Sequence, residues 1–336
     1  MRSMRKKAGT ALLALTTIAA LIVGGCSNDN AASSDEPLKI ALSPWPGWFF
    51  WYVVEEKGFF EKHGVEVQLE WFPVYSDSLQ ALATGKVDAN SQTLSDTLAP
   101  ASKGIELKAV LVNDNSFGGD AIVSKQDIKT IADLEGKTVA TELGTVDHLL
   151  LLTALAENGM SESDINYVNM TVNDAGPAFI SGKTDASVLW EPFQTMAVKE
   201  GNGNVLFSSK DTPGLIPDLL VFKKSVVDSR PDDVQKVVDA WFDAVAWYGE
   251  NEQEGLEIMA EKAETTVDDY KLGMESIKLF ALEDNLKAFA PGETYESLQY
   301  TGQKTGEFLQ GLDMLSDVPD LTEVLEPKFV TNLAER

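Results

Sequence analysis

Nine short β-type runs separated by helical stretches occupy residues 38–222, and no further run follows after about residue 229. This alternation constrains the fold more than any other feature, because strand–helix–strand order argues for an α/β architecture with largely parallel sheets. The predicted strands are Leu38–Leu42, Val65–Phe72, Leu107–Asn113, Ala121–Ser124, Thr138–Thr141, Ile165–Met170, Ala186–Trp190, Val205–Ser208 and Leu219–Phe222. Predicted helices between them include Trp48–His63, Ser76–Thr84, Val146–Asn158 and Ala175–Ser181. Beyond residue 229 the pattern turns helical: Val234, Val237, Val238, Trp241, Phe242 and Val245 recur at three- and four-residue steps and define one apolar face. Ser229 with Asp232 reads as a capping box there, and Pro231 suits a first turn.

An internal echo divides the chain. Ala81–Ala89 and Ala178–Ala186 share the pattern A-x-x-x-G-K-x-D-A, in which a helix ends at a glycine and a strand follows. Read as a structural repeat, the two segments belong to topologically related lobes. Each following strand then delivers its last residues to an equivalent rim: Ser91, Gln92 and Thr93 in one lobe, Leu189, Trp190 and Glu191 in the other. Open α/β sheets bind ligands at the carboxyl ends of their strands, so two such rims facing one another make a cleft.

The first residues do not belong to this pattern. Arg2, Arg5, Lys6 and Lys7 precede an apolar run from Thr10 to Val23, then Gly24, Gly25 and the sole cysteine, Cys26. The run is shorter than the ~20 residues of a membrane-spanning helix and reads as a secretory signal over 1–25. Small residues directly before a cysteine resemble a bacterial lipobox, which implies cleavage before Cys26 and lipidation of its sulfur. Residues 26–37 then serve as a flexible tether on the outer side of the membrane.

Composition removes several classes. Fifty-three carboxylates against 27 Lys and Arg give a net charge of −26, a poor match to nucleic acid. One cysteine excludes an intrachain disulfide framework, and two histidines leave little for a His-rich metal site. Gly136-Lys137-Thr138 and Gly182-Lys183-Thr184 are not phosphate loops, since Ile131 and Pro177 stand where the first glycine must be. Neither a G-x-S-x-G nor an H-E-x-x-H pattern occurs, and Asn113-Asp114-Asn115 lacks EF-hand register. No catalytic residue, metal or cofactor is expected.

The segments VVEEKGFFEKHGVEVQL (53–69), SLQALATGKVDA (78–89) and IADLEGKTVA (131–140), then Gly144-Thr145 and Asp185-Ala186 through Trp190-Glu191-Pro192-Phe193, follow in an order that resembles the nitrate/sulfonate/taurine group of ABC-importer solute-binding proteins. That group also contains proteins for thiamin-precursor pyrimidines. The resemblance covers about residues 38–225. It implies a two-lobed type II periplasmic-binding-protein fold with a helical C-terminal region, a small-molecule ligand, a membrane permease with its ATPase as partners, and a monomeric receptor. Lobe one would comprise 38–118 plus 219–336, and lobe two 119–218. An enzyme on the same fold is the alternative class, disfavoured by the minimal histidine content.

Under this resemblance the expected ligand contacts lie at strand ends and crossings. Trp45 and Trp48, in the Ser43–Trp48 loop after the first strand, would touch ligand or pack in the core. Gln92 follows from the rim. Asp96 would cap a helix or reach the ligand. Glu142, Thr145 and His148 surround the start of a lobe-two helix. Trp190 and Glu191 occupy the place where the family presents a Trp-Asp pair. Asp120 and Asp218 would contact ligand or brace the hinge. The chain has no arginine between Arg5 and Arg230, which removes the usual fork for an anion. Indole faces and carboxylates favour a cation or a neutral N–H-rich molecule, such as a guanidine-like compound or a pyrimidine amine. A sulfonate, taurine or nitrate is the alternative ligand.

Overall fold

The computed structural model describes residues 36–336. The expected signal peptide, Cys26 and nearly all of the tether lie outside the described residues.

The first sheet contains β1 (Leu38–Leu42), β2 (Val67–Trp71), β3 (Ala89–Thr93) and β4 (Leu107–Ser116). The second contains β5 (Asp120–Ser124), β6 (Thr138–Thr141), β7 (Asn166–Asn169), β8 (Ala186–Trp190) and β9 (Asn204–Ser208). The chain then returns to the first sheet with β10 (Pro217–Lys223) and β11 (Ile277–Leu279). The spatial orders are β11-β4-β10-β3-β1-β2 and β7-β6-β8-β5-β9. Only the segments between β4 and β5 and between β9 and β10 join the sheets.

The parallel expectation holds for β1 with β2 and β3, and for β6 with β7 and β8. The sheets are nonetheless mixed. β10 runs antiparallel to β3 and β4, and β5 antiparallel to β8 and β9. β5 and β10 each directly follow a crossing, where the chain enters its new sheet from the opposite end, and the edge strand β11 also runs antiparallel to β4. The A-x-x-x-G-K-x-D-A segments take equivalent positions. Gly85 (φ +74°) and Gly182 (φ +75°) turn in the left-handed region open to glycine. Asp88 then accepts from the Lys39 N–H of β1 (3.0 Å), and Asp185 from the Thr138 N–H of β6 (2.9 Å).

Three sequence expectations are corrected. β11 is a strand beyond residue 229; it is three residues long at a sheet edge, too short to show a period of two. The stretch 48–63 is two helices, Phe50–Glu56 and Phe59–His63, broken at Gly58. Ser229 forms no capping box: its hydroxyl donates back to the Ser225 carbonyl (2.7 Å) at the end of a separate short helix, while Pro231 does occupy the first turn of the helix Pro231–Glu250.

That long helix places Val234, Val237, Val238, Trp241 and Phe242 against the first sheet in one core with Phe50, Trp51 and Phe222. Trp51 and Trp241 lie 4.4 Å apart between ring centroids, and Trp51 Nε1 donates to Ser91 Oγ (2.9 Å). The C-terminal helices thus pack chiefly on the first lobe, with contacts to the second through the Lys199–Asp269 pair and through Leu149 beside Leu298 and Leu309. No helix among the described residues is long and apolar enough to cross a membrane.

Candidate ligand-binding site

The carboxyl ends of β1, β3 and β8 converge with the start of β5 on a buried cavity. Its lining includes Trp45, Trp48, Tyr75, Thr93 and Asp218 from the first lobe and Asp120, Val146 and Trp190 from the second. The space is about 10 Å³, room for a single water-sized sphere. The lobes are therefore closed on one another. At the rim, Asn173 Nδ2 of the second lobe donates to the Pro73 carbonyl of the first (2.9 Å).

The aromatic part is a chain of contacts across the cleft. Ring centroids lie 6.3 Å apart for Trp45–Trp48, 5.2 Å for Trp48–Tyr75 and 5.7 Å for Tyr75–Trp190, the last edge to face. The Pro44–Gly47 turn brings Trp45 down so that Nε1 donates to Asp114 Oδ1 (3.0 Å). Gly47 is required there, since a Cβ would lie 1.9 Å from Asp114 Oδ2. The indole N–H groups of Trp48 and Trp190 are buried without a partner.

The acidic part is larger than the sequence suggested. Asp114 and Asp218 stand directly opposite one another on β4 and β10. Asp120 opens β5 beside Trp190 of β8, with Asp147 of the helix Val146–Glu157 next to it. Asp96, in the first turn of the helix Leu94–Ser102, completes the group. All five are buried, and each has at least one carboxylate oxygen without a hydrogen-bond partner.

Burial is the largest influence on every one of them. It pushes Asp96 and Asp120 up to about 7 and Asp114 up to about 8. Hydrogen bonds from Thr93, Tyr75 and the Val146 N–H offset part of the effect at Asp96. Asp147 and Asp218 rise well above the carboxylate range, driven first by burial and then by the neighbouring Asp120 and Asp114. Burial also raises Glu142 and Glu191. No lysine or arginine is among the groups acting on the five aspartates. Nor do any three His, Cys, Asp or Glu among the described residues form a set that could hold a metal ion.

The structure therefore brings Trp45, Trp48, Asp96, Asp120, Trp190 and Asp218 together. Glu191 sits beside them, but both its oxygens accept from Thr195. Glu142 reaches the rim near Ser76, with Oε2 unpartnered. Thr145 turns its hydroxyl back to the Glu142 carbonyl (2.9 Å). Two expected residues face elsewhere. Gln92 is fixed between Asn90 and Thr97 on the other side of the β3 pleat. His148 has both ring nitrogens engaged, with the Gly144 N–H (3.2 Å) and with Glu162, and stacks on Tyr167. Asp114, Asp147 and Tyr75 were missed. The one sequence signal for the two aspartates is a lone acid in an apolar element, as in LKAVLVND and VDHLLLLTALA.

Two α/β lobes, crossed twice by the chain and closed over a crevice at their strand ends, form the type II periplasmic-binding-protein fold. The chain belongs to the NMT1/THI5-like family, whose model matches residues 45–255. A protein of Escherichia coli (strain K12) named for binding aliphatic sulfonates is 31% identical over 215 residues, covering 63% of this chain and 64% of that one. The taurine-binding periplasmic protein of the same organism is 25% identical over 217 residues, 63% of each chain. The match thus spans less than two thirds of either relative. Among solved structures, the periplasmic aliphatic sulphonate binding protein from Escherichia coli superposes with a TM-score of 0.73 at 21% identity, covering 88% of this chain and 93% of that one.

Proposed function

We propose that this protein is the solute-capturing receptor of an ABC importer and that its ligand is a small cationic or N–H-rich nitrogen compound, guanidine-like or a pyrimidine amine. One observation carries the choice of ligand: two buried aspartates with unpartnered oxygens, Asp120 and Asp218, line an aromatic cavity that has no cation in its lining, and Asp96, Asp114 and Asp147 are buried beside them. A buried carboxylate without a partner is costly, and a donor-rich cation supplies the missing hydrogen bonds while its charge is screened by indole faces. The partners would be a permease and its ATPase. A guanidinium is larger than the water-sized space left here, so it would enter with the lobes apart and hold them in a closed form slightly wider than this one, a shift set by differential affinity for the states. The work is capture rather than turnover, consistent with the binding proteins among its relatives.

An oxyanion such as a sulfonate, taurine or nitrate is the second reading. The unpartnered indole N–H groups of Trp48 and Trp190 favour it, as do the ligands named for the two relatives. Against it, the N–H of Val146, at a helix N-terminus where an anion could dock, already faces the Asp96 carboxylate. A thermal-shift screen of guanidinium, methylguanidinium, an aminopyrimidine, taurine, ethanesulfonate and nitrate separates the readings. A ligand at 100 times Kd adds about 2.7 kcal/mol of stability. Stabilisation by the nitrogen compounds supports the proposal; stabilisation by sulfonate or nitrate alone overturns it. Anchoring through Cys26 has its own test: Cys26→Ser should move the protein from the membrane fraction to the soluble one.

A further inference from the structure

Beside the inner cavity lies a second space of about 460 Å³, within the size range of small-molecule sites. Its walls come from both lobes: Phe49, Trp71 and Tyr270 on one side, Phe193 and Met196 on the other. Pro44 and Trp45 belong to both linings, so the two spaces adjoin at these residues. Trp71 is 43% exposed and Met196 37% exposed, an unusual display of large apolar side chains facing one hollow. Of the charged side chains lining the chamber, Glu191, Glu200, Glu264 and Asp269 outnumber the single Lys199, which is already paired with Asp269 across the lobes.

We infer that this chamber is a second subsite, taking a hydrocarbon or aromatic substituent carried by the cationic head group that the inner carboxylates hold. The inference rests on the cation reading of the inner cavity and adds the shape of the rest of the ligand. The inner cavity has no room for such a substituent, whereas the chamber has both the room and the apolar walls. Its excess of carboxylates disfavours an anionic tail and leaves a neutral one attached to a cation.

The test is a calorimetric titration of the full chain with guanidinium and with benzylguanidinium. The expected result is about tenfold tighter binding of the benzyl compound, from apolar area buried against Trp71 and Met196. Trp71→Ala should remove most of that advantage and leave guanidinium affinity unchanged. Met196→Ala, on the opposite lobe, gives an independent readout should Trp71→Ala lower stability. Equal affinities for the two cations, or an equal loss of both in Trp71→Ala, overturn the subsite while leaving the inner reading intact. A chain that binds neither cation overturns the inner reading, and the subsite with it.

Discussion

Carboxylates at the two ends of the same sheets are treated in opposite ways. At the far end, Asp88 and Asp185 follow the repeated turns, and each accepts a strand N–H. Each is also paired with a lysine, Lys223 at 3.2 Å and Lys125 at 2.7 Å. Lys125 and the Thr138 N–H hold the Asp185 carboxyl below the usual range. At the cleft end, Asp96, Asp114, Asp120, Asp147 and Asp218 are more deeply buried, have unpartnered oxygens and no cation, and titrate far higher. Where an acid serves the fold, the chain supplies its partners. Where it lies at the crevice, the chain supplies no cation, and on the proposed reading a ligand would bring one.

The largest effect expected of this contrast is on affinity. Replacing Asp120 and Asp218 together by asparagine removes two carboxyl groups at nearly constant volume. Hydrogen bonds to charged groups contribute about 1.5–3 kcal/mol each, so guanidinium binding should weaken by about 100-fold or more in a calorimetric titration. The empty double variant should melt at a higher temperature than the parent, because two costly buried carboxylates are gone. A variant that melts lower and binds as before would erase the distinction between the two ends.

The second effect is on pH dependence. A carboxyl that titrates higher in the folded chain than in the unfolded one makes the folded state bind more protons between those values, so stability falls as pH rises. For Asp96, Asp114 and Asp120 that window runs from about pH 4 to about pH 8. The melting midpoint of the empty protein should therefore decline from pH 5 to pH 8. Asp185 acts in the other direction, contributing stability above its unfolded value that is lost on acidification below about pH 4. Midpoints measured with and without guanidinium check both the sign and the window, since a bound cation should flatten the decline.

Smaller effects sharpen the same contrast. Trp45→Phe deletes the one indole N–H that Asp114 receives and should cost about tenfold in affinity. Asp185→Ala, at the far end, should lower stability by about 1 kcal/mol in urea unfolding and leave affinity untouched.

Much of this arrangement was legible in the residues. The echo around Gly85 and Gly182 located both the lobes' shared topology and the strands that end at the cleft. The Pro-Trp-Pro-Gly-Trp loop announced an irregular turn, which proves to aim Trp45 at Asp114. What could not be read was which side chains face inward. Asp114 meets Asp218 only because β10 pairs with β4 in one register, and Gln92 misses the cavity because the β3 pleat turns it to the opposite face. His148 and Asp147 are neighbours on one helix. The aspartate points to the crevice, and the histidine to Glu162 and Tyr167. In a chain with 53 acidic residues, a single buried aspartate stands out only once the fold has excluded water around it.

The most direct measurement is a calorimetric titration with guanidinium and with taurine at pH 6 and at pH 8. Uncompensated crevice carboxylates predict that guanidinium binds, more tightly at pH 8, with protons released as the aspartates ionise. Binding of taurine alone, tighter at pH 6 and with protons taken up, would contradict the account.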